Sequence, residues 1–316
     1  MRDKLKKAIA NRTIFYIAFC YFLSILGFSN ISLRGLEIRN KIFRKLQKKY
    51  QRFSSHLAFN PELDECSIKV LTGPDISKID ADNIWICWFQ GFDEAPALVT
   101  RCLESIQKHM PDKKIHLITA DNMSNFVLFP SWVTSKWKAG IISDAHLSDM
   151  LRLELLIRYG GVWLDATTYL TDALPEYVYN RDLFMYICNT SDLTSVYHSW
   201  LIYSKKNHRV LQNTRALLYE YWRRKNHLCE YFLWHLFMTM SIEKYPQDAH
   251  DIHYIVGEPN HMLARNWSKQ FDPVYWAELK KITPVQKLST KRIPQSDYSG
   301  TYYDLLLRGT LNKESK

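Results

Sequence analysis

From residue 84 onward, short apolar runs alternate with longer stretches whose apolar positions recur every three or four residues. That alternation predicts strands separated by helices, an α/β arrangement. Ile84-Trp85-Ile86-Cys87-Trp88-Phe89, closed by Gln90-Gly91, reads as a buried first strand. After Pro96, Leu98, Cys102, Ile106 and His109 fall at helical spacing, and Met110-Pro111-Asp112 marks the stop. Ile115 to Thr119 predicts a second strand, parallel to the first through a right-handed crossover. Ligands in such sheets bind beyond the carboxyl ends of the strands, which points to Trp88, Phe89, Gln90, Asp121 and Asn122. Trp88 reads equally well as core packing, and Asp121 as simple turn chemistry.

The stretch that organises the chain is Ser148-Asp149-Met150-Leu151-Arg152 followed by Tyr159-Gly160-Gly161-Val162-Trp163-Leu164-Asp165-Ala166-Thr167. Ser143 or Asp144 is a suitable N-cap, and Leu147, Leu151, Leu155 and Tyr159 continue a helix that ends at Gly160, where a left-handed cap is cheapest. Asp149 and Arg152 are three apart and share a face, either as an ordinary surface ion pair or as part of a site. Val162-Trp163-Leu164 then returns as a central strand and leaves Asp165 at its end. That carboxylate either caps the following turn or is a ligand for a hard divalent cation.

The remainder continues the alternation. Ser131 to Gly140 is a loop or short helix carrying Trp132 and Trp137. Asp182 to Cys188 and Trp200 to Tyr203 predict strands, Val210 to Tyr221 a helix, and Leu228 to Ile242 a strongly apolar buried helix. His235 within it reads as a core histidine or as a catalytic or acceptor-facing group. Residues 257–268 predict a polar loop able to close over a ligand, with His261 as a metal or phosphate contact. Lys287 is placed to reach a diphosphate.

Charge changes the picture only at the N-terminus. Residues 1–52 hold 13 Lys/Arg against Asp3 and Glu37, a net of +11, whereas the other 264 residues hold 29 basic and 30 acidic groups. A basic footprint confined to one end argues against a nucleic-acid partner. Ile14 to Phe28 is a 15-residue apolar run, short of the roughly 20 residues that span a bilayer. After it, Ile38, Ile42, Phe43 and Leu46 share a helix with interleaved cations, a pattern suited to an anionic membrane surface. Peripheral docking, a short signal-anchor and a helical hairpin packed on the domain are the three readings, and docking is the expectation. The expected division is a stem, 1–53, and a domain, 54–316, with 54–80 as a connector. Six scattered cysteines without CxxC or zinc spacing read as buried, reduced thiols.

The combination SDxLRxxxLxxYGGVWLDAT over residues 148–167 resembles the DXD sugar-binding-region glycosyltransferases, in particular their capsular polysaccharide synthesis branch in bacteria. The resemblance extends from about Ile84 to Thr301-Tyr302-Tyr303. It implies a GT-A fold, a Rossmann-like mixed sheet flanked by helices, and a nucleotide-sugar donor, most simply a UDP-sugar. It implies donor contacts from Trp88, Asp149 and Arg152 and a catalytic role for Asp165; the positional candidates Gln90, Asp121 and Lys287 complete the expected donor site, and Asp149 and His235 the expected catalytic set. Mn²⁺ or Mg²⁺ would be held by Asp165, weakly helped by Thr167 and His261. One departure matters: Thr167 stands where the motif has its second acid, and a neutral hydroxyl is a weak ligand for either ion. The expected activity is retaining transfer of a sugar to a lipid-linked or polysaccharide acceptor at the cytoplasmic face of the membrane. A non-catalytic glycan- or nucleotide-binding homologue and a glycosylating toxin are the alternatives.

Overall fold

The computed structural model describes residues 31–50, 82–188, 192, 194–249, 255–291 and 298–312. The apolar run 14–28, the connector 54–80 and the last four residues lie outside the described residues. Helices are α1 (Ile31–Tyr50), α2 (Ala97–His109), α3 (Ser131–Lys138), α4 (Asp144–Tyr159), α5 (Arg209–Arg224), α6 (Leu233–Lys244), α7 (Pro246–Ala249), α8 (Met262–Asn266), α9 (Pro273–Ile282) and α10 (Tyr302–Arg308). Strands are β1 (Asn83–Cys87), β2 (Lys114–Ile118), β3 (Gly161–Asp165), β4 (Thr168–Leu170), β5 (Leu183–Ile187), β6 (Tyr197–Ser204) and β7 (Val285–Lys287).

The main sheet has the order β2-β1-β3-β6-β5. The first three strands are mutually parallel, and β6 is antiparallel to both β3 and β5. Each predicted strand is present, and β3 is central, as its apolar run implied. Period-two alternation then assigns the faces. Trp85, Trp163, Ile202 and Met185 sit opposite one another in register and pack with α4, α5 and α6. Ile84, Val162, Tyr203 and Phe184 form the neighbouring row and pack on α2 through Val99 and Ile106. Burial on both faces is why these strands read as continuous apolar runs rather than as alternating ones. A third, smaller core gathers Leu98 and Cys102 of α2 with α9, α10 and Leu288.

The Gly160-Gly161 pair does two separate jobs. Gly160 closes α4 with φ +67° and ψ −166°. This is not the left-handed cap expected from sequence but an extended positive-φ geometry open essentially to glycine alone. Its carbonyl accepts from Trp85 Nε1 at 2.9 Å, which ties the turn to the sheet. Gly161 has φ +96°, and a Cβ there would lie 2.4 Å from the Asn83 carbonyl oxygen. The close approach of β3 to β1 therefore excludes any side chain at this position.

Three sequence expectations are corrected. The apolar helix starts at Leu233 rather than Leu228, because Tyr221 Oη donates to His227 O and accepts from Cys229 N, holding 227–229 as a turn. The segment predicted as a polar loop is instead a helical turn, Pro259–His261, running into α8. The amphipathic helix of the N-terminal stem spends its apolar face on the domain: Phe43, Leu46 and Tyr50 are buried in the main core. Tyr50 meets Phe237 at 5.5 Å between ring centroids, and Gln47 donates to Glu243 on α6. Those side chains face the domain and are unavailable to lipid. No helix among the described residues is long and apolar enough to cross a membrane.

Candidate functional site

Because β1 and β3 are parallel and β6 runs against them, the C-terminal ends of the first two and the N-terminal end of the third meet at one edge of the sheet. A cavity of about 800 Å³ opens there. Its walls come from residues 87–90 after β1, the first turns of α4, Asp165 to Thr167, residues 198–200 of β6, Tyr231, Phe232 and His235, the 258–265 turn, and residues 287–291.

Arg152 forms the floor. It is only 5% exposed, so the surface-pair alternative for Asp149 and Arg152 is rejected. Its Nη1 donates to Ser199 O at 2.7 Å, and Nε and Nη2 reach Ser148 O and Oγ at 3.3 Å each. The guanidinium lies 4.9 Å from the Trp163 ring centre, in cation–π geometry. These contacts fix it between Asp149 Oδ1 at 3.3 Å and Asp165 Oδ1 at 3.7 Å.

Asp165 Oδ1 also accepts from Trp163 Nε1 at 3.0 Å. Lys287 Nζ lies 3.4 Å from Asp165 Oδ2 and donates to Thr167 Oγ1 and to Leu288 O. Lys287 arrives through a pairing distant in sequence: β4 follows directly from Thr167, and β7 pairs with it so that Thr168 faces Lys287. Burial pushes the Asp165 carboxyl upward, but Lys287, Arg152 and the Trp163 donor outweigh that and hold it below the usual carboxylate range.

Four histidines line the cavity: His146, His198, His235 and His261. Burial pushes His235 down to about 4 and His198 to about 3, so both are neutral near pH 7. His235 lines the cavity, while its Nδ1 is buried with no hydrogen-bond partner among the described residues. His261 stands against His198 and Trp200, with ring centroids 5.2 and 5.9 Å away, on the wall formed by β6. On the opposite rim Gln90 and Trp137 both donate to Asp144, which steadies the segment carrying Trp88. Trp88 lines the cavity and also packs against the α2-side core.

Of the sequence-predicted residues, the cavity brings together Trp88, Gln90, Asp149, Arg152, Asp165, Thr167, His235, His261 and Lys287. Asp121 is exposed in the turn after β2 and does not line the cavity. Its neighbour Asn122 organises that turn, accepting from Thr119 N and donating to Leu117 O. Sequence reasoning missed His198 and the Ser199 carbonyl, which sit on an antiparallel strand with no motif, and Lys291 over the Tyr231 ring. The acidic Glu258 and its partner Arg265 were also passed over.

The expected divalent cation does not fit this donor set. Asp165 is flanked by two cations, and the Thr167 hydroxyl is taken by one of them. His261 faces a histidine and a tryptophan. Among the described residues no three His, Cys, Asp or Glu side chains converge on one point.

Comparisons with known proteins bear on this geometry. The O-glycosyltransferase braB of Annulohypoxylon truncatum is 30% identical over 108 residues, 31% of this chain and 26% of that protein. The O-glycosyltransferase PaGT of Phomopsis amygdali is 22% identical over 186 residues, 53% of this chain and 45% of that protein. The chain thus spans between about a quarter and a half of the length of these fungal relatives. A solved structure titled PaToxG Glycosyltransferase aligns with 88% of this chain and 97% of its own at 14% identity and a TM-score of 0.37, too low to fix a fold type. The sequence profile described as capsular polysaccharide synthesis protein matches residues 25–306. The chain belongs to the capsular polysaccharide synthesis protein family.

Proposed function

We propose that the chain is a glycosyltransferase that moves a sugar from a nucleoside diphosphate to a hydroxyl acceptor within the cavity. One observation carries this reading: Asp165, Arg152 and Lys287 converge on the cavity floor at the carboxyl ends of parallel strands. The glycosyltransferase names of the partial relatives point the same way.

The chemistry needs positive charge where the diphosphate leaves. Breaking the anomeric C–O bond puts its electron pair on a phosphate oxygen, and Arg152 and Lys287 are fixed beside that place before the reaction begins. The anomeric carbon bonds the acceptor oxygen, and the acceptor proton departs on the leaving diphosphate. Asp149 binds donor hydroxyls, Trp88 stacks the base, and neutral His235 borders the sugar or acceptor on the cavity wall. Asp165 orients both cations and steadies the oxocarbenium-like sugar.

The finer reading is a GT-A enzyme that retains anomeric configuration, uses a UDP-sugar and acts on a lipid-linked or polysaccharide acceptor. It rests on the motif resemblance. Docking on the cytoplasmic face of the membrane belongs to the same proposal. With its apolar face buried, α1 offers charge for this purpose: Lys41, Arg44, Lys45, Lys48 and Lys49 are all exposed.

The test is hydrolysis of a panel of nucleotide sugars by the wild type and by Asp165→Ala. Turnover of one donor by the wild type and its loss in the variant is expected. Equal turnover in both removes Asp165 from the mechanism. Tight donor binding without turnover, whatever the acceptor, favours the non-catalytic binding reading to which Thr167 gives some support.

A further inference from the structure

We infer that Lys287 occupies the place of a divalent cation in this site, so that the diphosphate is held and released on protein charge alone. The inference rests on the donor-binding reading above and goes beyond it by assigning the ion's task to one side chain.

The geometry argues this from three directions. First, Asp165 has little left to offer a metal. Its Oδ1 accepts from Trp163 at 3.0 Å and lies 3.7 Å from Arg152, while its Oδ2 faces the Lys287 ammonium at 3.4 Å. A divalent ion bonding Asp165 at roughly 2.0–2.2 Å would sit against that ammonium or have to expel it. Second, Thr167, at the position where the motif carries an acid, uses its hydroxyl to accept from Lys287. A second carboxylate would call for more positive charge than one ammonium, whereas a hydroxyl calls for a donor. Third, the ammonium is held in place by three oxygens: two of its N–H groups go to Thr167 Oγ1 and Leu288 O, and the third faces Asp165 Oδ2 at 3.4 Å, the contact a phosphate oxygen would share or replace. The β4–β7 pairing fixes its backbone opposite Thr168, so the charge is placed before any ligand arrives.

An ammonium is a point donor suited to phosphate oxygens, and Arg152 stands on the other side of Asp165 with a planar fork. Together they bracket a space where two phosphate groups can be met by two fixed cations. Neither interaction requires a soluble ion.

The experiment is calorimetric titration of UDP and of GDP into the full chain, in excess EDTA and again in Mn²⁺. It is run on the wild type, Lys287→Met and Lys287→Arg, with thermal melts to confirm that each variant is folded. The expected result is binding of one nucleotide in EDTA, with Mn²⁺ changing the affinity by less than about threefold. Lys287→Met should weaken that binding roughly tenfold to a hundredfold, the range for losing a charge-assisted hydrogen bond. Lys287→Arg should recover most of it. Binding that appears only with Mn²⁺, or a folded Lys287→Met that binds in EDTA like the wild type, overturns the inference and leaves the donor reading standing. No binding of either nucleotide under either condition overturns both.

Discussion

Replacing Arg152 by Met keeps an unbranched apolar stem against Trp163 and removes the charge and its donors. The substitution strips the hydrogen bonds to Ser199 O, Ser148 O and Ser148 Oγ, and the ion pairs to Asp149 and Asp165. Removing one partner of a buried pair costs about 3–5 kcal/mol, because the other charge stays behind unpaired. The low end, about 3 kcal/mol, applies here. Asp165 keeps Lys287 and Trp163, and its side chain is 28% exposed toward the cavity. Urea denaturation at pH 7 measures the difference.

The pH dependence gives a second reading of the same variant. The folded-state pKa of Asp165 is depressed, chiefly by Lys287 and Arg152 acting against burial. It therefore contributes stability that is present above the unfolded value of about 3.9 and lost as pH falls through the folded value. Without Arg152 the depression is smaller, so the gap between wild type and variant should narrow below about pH 4. A gap under about 1 kcal/mol at pH 7, the size expected of an exposed pair, would refute the buried-floor account of Arg152. A gap that stays constant down to pH 3 would refute its coupling to Asp165.

Three other substitutions probe the frame around the site. Gly161→Ala forces a Cβ to within 2.4 Å of the Asn83 carbonyl at φ +96°, so thermal melts should show a loss of at least about 1–3 kcal/mol. Phe43→Ala on α1 should destabilise the domain by about 3 kcal/mol in urea, the lower end for a buried phenylalanine. An unchanged midpoint would mean that the helix is not part of the folded unit. Burial depresses the His235 pKa to about 4, so its contribution to stability is full above about pH 6.5 and is lost between there and pH 4, at about 1.4 kcal/mol per unit. His235→Gln should flatten that part of the stability–pH curve, and an identical curve would place His235 in water.

The core of this site was legible because its parts are close in sequence. Asp149, Arg152 and Asp165 lie on one helix and the strand that follows it, and the glycine pair between them fixes their relation. Helical and strand periodicity therefore predicted both elements and the carboxylate at their junction. Lys287 was only a candidate, because the pairing that places it joins β4 to β7 across more than a hundred residues and no local pattern encodes that partnership. His198 and Ser199 were invisible for a related reason: β6 meets the cavity with its N-terminal end, while the rule for parallel sheets directs attention to C-terminal ends. The partners of the stem's apolar residues were not legible because an amphipathic basic helix fits a membrane surface and a protein surface equally well. Only the partners of Phe43, Leu46 and Tyr50 distinguish the two. Helix α4 shows the same limit. Its Glu154, which no local pattern singles out, is fully buried and satisfied by Tyr219, Arg158 and Arg215.

The central claim is that Arg152 and Lys287 bracket the diphosphate of a bound donor. Its most direct test is a crystal structure of the full chain soaked with UDP and, in parallel, with GDP. Nucleotide is expected in the cavity, with phosphate oxygens within hydrogen-bond reach of both Arg152 and Lys287 and the base against Trp88. A nucleotide bound elsewhere, or one in the cavity whose phosphates touch neither cation, would contradict it.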